Sequence, residues 1–189
     1  HFLSCSMMKG NSITSRNHSC VQLISKFVQM AGGMFINEPA DIRGKRVDGV
    51  IILPEAAIDI SFDLSIVHTS SPSYSSYSTS ALLDSRAKVK NGKYLQQANI
   101  EGRIFTPFII SSYGCLHPDA IDLAWFIAES ANTYGFAQSS SSFFYSFIDE
   151  LLVTLHCGNA YVYASGLVAA RRKYVRSFIN GVLPSSSSS

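Results

Sequence analysis

The chain has 189 residues, enough for a single domain with a proper core, and at 47% hydrophobic and 15% charged it is apolar for a soluble protein. A net charge of +2 and a pI of about 8.4 are too mild to identify a nucleic-acid partner by themselves. No run approaches the roughly eighteen consecutive apolar residues of a membrane span, which argues against a bilayer role. The four cysteines, Cys5, Cys20, Cys115 and Cys157, lack CxxC spacing and any small secreted framework, so reduced thiols in an intracellular protein are expected. The chain starts without Met and without a segment like a signal peptide, as a piece of a longer polypeptide would.

In chain order, His1 and Cys5 form H-x3-C, a spacing that fits the second half of a zinc knuckle and equally reads as two incidental residues. Its CxxC half would lie upstream, so residues 1–14 read as a remnant of such a segment, and Zn²⁺ would bind only if those cysteines completed it. From Ser15 the pattern turns helical: Val21, Ile24, Phe27, Val28 and Ala31 recur at three- and four-residue spacing. Thr14 or Ser15 can cap this helix, and Gly32-Gly33 stops it. MFINEP (34–39) reads as a short strand ending at Glu38, and DIRG (41–44) as a turn.

KRVDGVIIL (45–53) and DISFDLSIVHT (59–69) read as two strands joined by a hairpin-like PEAAI connection. Alternation places Asp63 and Ser65 on one face of the second strand, with Phe62, Leu64 and Ile66 on the other. GVIIL is expected in a central strand covered on both faces. A carboxylate in such a strand is costly unless compensated. Asp48 and Asp63 are therefore best explained by a shared cation, with Glu38, at the strand end before them, either a third ligand or an ordinary surface acid. SSPSYSSYSTS (70–80) is a polar loop, and a helix follows from Thr79 to about Ala98. Arg86, Lys90 and Tyr94 are spaced i, i+4, i+8 along one side of it, with Lys93 adjacent. Spacing alone favours a solvent-facing basic stripe; turned towards the aspartates, the same stripe would bring a cation beside an attacked phosphate.

GRIFTPFIISSYG (102–114) suits a buried parallel strand after a helical crossover. Pro118 and Asp119 open a helix over about 117–134, and capping accounts for His117-Pro118-Asp119 better than a catalytic triad does. Two packing helices are expected at 139–157 and 159–178, followed by a disordered Ser-rich tail over 181–189. Basic residues cluster around Lys45 and Arg46, in the 86–93 helix, and at 171–176. The order α-β-β-β-α-β followed by helices is that of a mixed α/β sandwich, with residues 15–180 as one domain.

The ordered set of RNH (16–18), AGG…NEPA (31–40), GKRVDG (44–49), FDLSIVHT (62–69), KxxKY (90–94), TPFIISSYG (106–114) and GNA (158–160) resembles one family over roughly residues 1–165. It is similar to the PD-(D/E)XK restriction-endonuclease-like domain at the C-terminal end of certain non-long-terminal-repeat retrotransposon polyproteins, downstream of the reverse transcriptase. The resemblance implies that fold and a nuclear, Mg²⁺- or Mn²⁺-dependent DNA endonuclease that nicks a strand by phosphodiester hydrolysis. Its partners would be DNA, RNA and the reverse transcriptase of the same polyprotein, with no membrane. Carried over by position, Asp48, Asp63, Lys90 and Tyr94 would be catalytic and Glu38, Asp48 and Asp63 metal ligands. Arg16, Lys45, Arg46, Arg86 and Lys93 are the basic residues expected at the nucleic acid.

The chain departs from the family pattern at Val47, where the family has proline, at the reversed Asn17-His18, and at Ser111, where relatives often carry glutamate. Two alternatives therefore stand beside the nuclease: a catalytically silent module that binds nucleic acid or a protein, and a structural subunit that uses the apolar helices of 139–178 as an interface.

Overall fold

The structure is a computed structural model that describes residues 11–39, 44, 46–54 and 56–179. Helix α1 (Asn11–Met30) leads into strand β1 (Met34–Asn37), then β2 (Gly49–Ile52) and β3 (Ile60–Val67). A 3₁₀ turn at Pro72–Tyr74 interrupts the serine-rich loop before α2 (Thr79–Ile100), β4 (Ile104–Ser111), α3 (Pro118–Thr133) and α4 (Ser140–Ile179). The strands form one four-stranded mixed sheet in the order β1-β2-β3-β4. The first two pairings are antiparallel, and β3 and β4 run parallel, with Asp63 opposite Pro107. The expected α-β-β-β-α-β order is present.

Local chemistry explains most boundaries. At the end of α1, Gly32 takes φ +76°, and its N–H and that of Gly33 donate to the carbonyls of Gln29 and Val28 at 3.0 and 2.9 Å. A left-handed residue that closes the last carbonyls in this way favours glycine. Ser78 caps α2 by accepting from the Ala81 N–H at 3.2 Å, and His117 caps α3 through Nδ1, which accepts from the Asp119 N–H at 3.2 Å. Pro107 lies within β4, which its edge position permits, because an edge strand has one side without ladder bonds.

Helices cover both faces of the sheet. On one face Phe27 and Ile24 of α1 pack with Phe62, Phe108 and Phe147 and with the α3 alanines in the main core. On the other, α2 sets Leu83 and Ala87 against Ile109, and Tyr94 and Ala98 against Phe105. The alternation along β3 is as expected, with Phe62 and Leu64 in the main core and Asp63 and Ser65 facing α2.

Four expectations need correction. Helix α1 begins at Asn11, so Thr14 and Ser15 lie inside it and cap nothing. The two helices expected after residue 139 are one helix of 40 residues. Gly158 costs helix propensity but does not break it, because it packs against the buried Arg16 and sits beside Asn159, which is held at both ends of its amide. The stripe of α2 is turned towards the sheet at Lys90 and Tyr94, while Arg86 reaches β3 through Nε but stays exposed, as does Lys93. By length and composition, Ser140–Arg176 is long and apolar enough to cross a membrane, because serines, threonines and glycines interrupt its apolar residues without adding charge. The phenylalanines and leucines of its first half are core residues; after Gly166 the described side chains are exposed. His1, Cys5, Lys45 and the 181–189 tail lie outside the described residues.

Candidate functional site

Strand β3 and helix α2 are matched in pitch. Alternate residues of a strand are about 6.6 Å apart, and residues four apart in a helix advance about 6 Å. A helix crossing back between parallel strands runs against them, so its rising sequence meets β3 in falling order. Arg86 Nε donates to Ser65 Oγ at 2.7 Å, and Lys90 Nζ pairs with Asp63 Oδ2. One turn later the Tyr94 hydroxyl donates to the carbonyl of Arg46 at 2.9 Å. The stripe of 86, 90 and 94 thus faces the acid-bearing side of the sheet, and both partners of the Lys90–Asp63 pair are largely removed from water.

Asp48 reaches the same place from the entry to β2. Its N–H donates to the Phe62 carbonyl at 3.1 Å, and its Oδ2 accepts from the Leu64 N–H at 2.7 Å. These two bonds straddle Asp63, so the carboxylates of Asp48 and Asp63 are neighbours in a half-buried site beside one lysine. Burial first, and the Asp63 charge second, raise the Asp48 carboxyl to about pH 6. The Leu64 N–H and Lys90 oppose that rise, and Glu38 adds to it. Two adjacent acids, one held protonated to an unusual pH, are the electrostatic signature of a place for a cation.

The remaining expected site residues are placed differently. Glu38 is more than half exposed, turned towards Arg46 with 3.7 Å between Oε2 and Nη1. Among the described residues no three His, Cys, Asp or Glu side chains form a ready metal cluster; Glu38 lines one cleft with Asp48 and its charge adds to the rise of the Asp48 carboxyl. Tyr94 is 4% exposed and acts as a prop: its ring packs on Phe105 at 5.2 Å, its hydroxyl holds the segment leading to Asp48, and Lys93 Nζ donates to that hydroxyl at 2.5 Å. Arg46, Arg86 and Lys93 are exposed beside the cluster.

Arg16 corrects the expected nucleic-acid surface, since only 4% of it is exposed. Its Nη1 donates to Asn159 Oδ1 at 2.8 Å, and Asn159 Nδ2 donates to the Ser112 carbonyl at 2.7 Å. Ser112 Oγ in turn lies 2.9 Å from His68 Nδ1. This buried chain joins α1, α4 and the far ends of β3 and β4. Its signal in the sequence is polar residues, Gly158-Asn159 above all, within an otherwise apolar helix. It also fixes α1, whose next residues, Asn17 and His18, line a cleft of about 460 Å³ with Asn37, Glu38 and Asp48. That cleft reaches Asp48, and spacing gave no hint of it.

Compared with models of protein families and with curated proteins, the chain matches none.

Proposed function

We propose that the chain is a metal-dependent DNA endonuclease of the PD-(D/E)XK type, the nicking domain of a retrotransposon-like polyprotein acting in the nucleus on DNA. The observation that carries this reading is the meeting of Asp48, Asp63 and Lys90, from three separate elements, at one half-buried point. The donor set fits Mg²⁺ or Mn²⁺: such ions are commonly held by one or two carboxylates, with water and substrate phosphate completing the shell. A bound divalent ion supplies Lewis-acid polarisation and a more acidic water. The chain's own residues do the rest. Asp48 and Asp63 would hold the cation in their ionised forms; the Leu64 N–H keeps the Asp48 oxygen in place. Lys90 can turn from Asp63 to a phosphoryl oxygen and offset its growing negative charge. Tyr94 and Arg86 fix the helix from which it reaches. Arg46 and Lys93, both exposed, would contact neighbouring phosphates.

The test is nicking of supercoiled plasmid with Mg²⁺ or Mn²⁺ by wild type, Asp63→Ala and Lys90→Ala, each shown to be folded. Metal-dependent nicking by wild type, reduced at least about 100-fold in both variants, is expected. A second reading, a silent nucleic-acid-binding module, draws on the closure of Lys90 onto Asp63 and on Val47 in the place of proline. DNA binding by a folded wild type that nicks with neither metal would establish it instead.

A further inference from the structure

The last turns of α4 form an arm. Past Gly166 the side chains of 167–176 are exposed, over a reach of about 15 Å at the helical rise. Leu167, Val168, Arg171 and Val175 fall within about 100° of the helix circumference, so an arginine sits among apolar neighbours on one stripe. Arg172, Lys173 and Arg176 add to its charge, and the chain has no aspartate or glutamate after Glu150. None of these four cations has an ion-pair partner among the described residues. Nucleic acid would neutralise the cations but leave Leu167, Val168 and Val175 in water. Lipid would take the apolar residues but strand Arg171 between them. The stripe as a whole suits an apolar cleft with a carboxylate in its wall.

The same chain carries such a cleft. It encloses about 470 Å³ between α2, β4 and α3, where Leu95, Ile104 and Phe126 present exposed apolar surface. Asp119 and Asp122 line it, and among the described residues no lysine, arginine or histidine does. Asp119 has His117 Nδ1 beside it at 3.5 Å, and Asp122 has no ion-pair partner among the described residues. Helix α3 as a whole bears Asp119, Asp122 and Glu129 and no cation, the converse of the arm. Because 167–176 are exposed, the arm does not fill the cleft of its own molecule. We propose that the exposed end of α4 docks in this cleft on a second copy of the chain, with Leu167, Val168 and Val175 against Leu95, Ile104 and Phe126 and Arg171 facing Asp122. Charge of opposite sign on the two surfaces sets the pairing, and the apolar residues of both leave water together. The inference stands apart from the nuclease reading.

The test is sedimentation equilibrium of the full chain in reducing buffer at low and high salt. Wild type is compared with Arg171→Asp, Asp122→Arg and Val168→Ser, all of matched melting temperature. Wild type should associate at low salt and less so at high salt. Either reversal alone should weaken association about tenfold or more, since like charges then meet. An equimolar mixture of the two reversals should associate as wild type does: the intact arm of one meets the intact cleft of the other, and the altered surfaces carry opposite charges. Val168→Ser changes no charge and should weaken association as well, which keeps the test open if a reversal disturbs the fold. A wild type that is monomeric at every concentration, variants that associate undiminished, or a mixture no stronger than its components would overturn the proposal. A monomeric wild type that binds a labelled DNA duplex, or vesicles containing phosphatidylserine, through Arg171 would overturn it and give the arm to that partner.

Discussion

Asp48 makes a measurable demand on the fold. Its carboxyl titrates near pH 6 in the folded chain and near 3.8 when unconstrained. Below about pH 3 both states are protonated and the residue costs nothing. As the pH rises to 6 the unfolded chain gains a free carboxylate that the folded chain resists, and above 6 the full cost is present. At about 1.4 kcal/mol per pH unit the penalty is about 3 kcal/mol. Asp48→Asn keeps an oxygen for the Leu64 N–H and removes the charge. It should therefore raise the melting temperature at pH 7 by several degrees, leave it unchanged at pH 3, and abolish stabilisation by Mg²⁺. In the parent chain Mg²⁺ stabilisation should fade between pH 7 and 5, as Asp48 takes up its proton. Thermal scans across pH with and without Mg²⁺ check each point; a Mg²⁺ effect that is flat with pH would detach Asp48 from the ion.

At the scale of elements, glycines in two helices give opposite expectations. Glycine in a helix interior is about 1 kcal/mol worse than alanine. Gly92, on α2, has nothing within 4 Å of where a Cβ would stand, so Gly92→Ala should stabilise by roughly that amount. At Gly158 a Cβ would lie 2.5 Å from Arg16 Cγ, against a buried side chain that Asn159 holds. Gly158→Ala should destabilise by about 1–3 kcal/mol despite its better propensity. Urea midpoints of the two variants should move in opposite directions. The same contact explains why α4 is hard to see in the sequence. Glycine next to asparagine has the look of a break between helices, and only the approach of Arg16 from a residue 142 positions earlier shows it to be a packing feature.

Across the whole molecule, what could be read in advance was whatever depends on neighbours in sequence. The period-two pattern of 60–67 gave both faces of β3, and Gly32-Gly33 gave the end of α1. Asp48 and Asp63 stood out because a charge in an apolar strand calls for a partner. Properties set by distant packing were not legible. Arg16 looks like a surface cation until Asn159 and Gly158 enclose it, and the direction of the 86–90–94 stripe depends on which helix face the crossover lays on the sheet. Where the Glu38 carboxylate lies, exposed beside Arg46 and on the same cleft as Asp48, depends on the turn after β1 and could not be read from its position in the sequence.

The pitch match between α2 and β3 also sets which changes of chain length the molecule can absorb. Lys90 owes its position to an angle about a helix axis, so one residue added between Arg86 and Lys90 would swing it by about 100°, away from Asp63. A residue added in the exposed serine-rich loop before Ser78 leaves that angle untouched, because the Ser78 cap restarts the helix at the same phase. The loop can lengthen or shorten while the site stays intact; the helix beside it has to keep count.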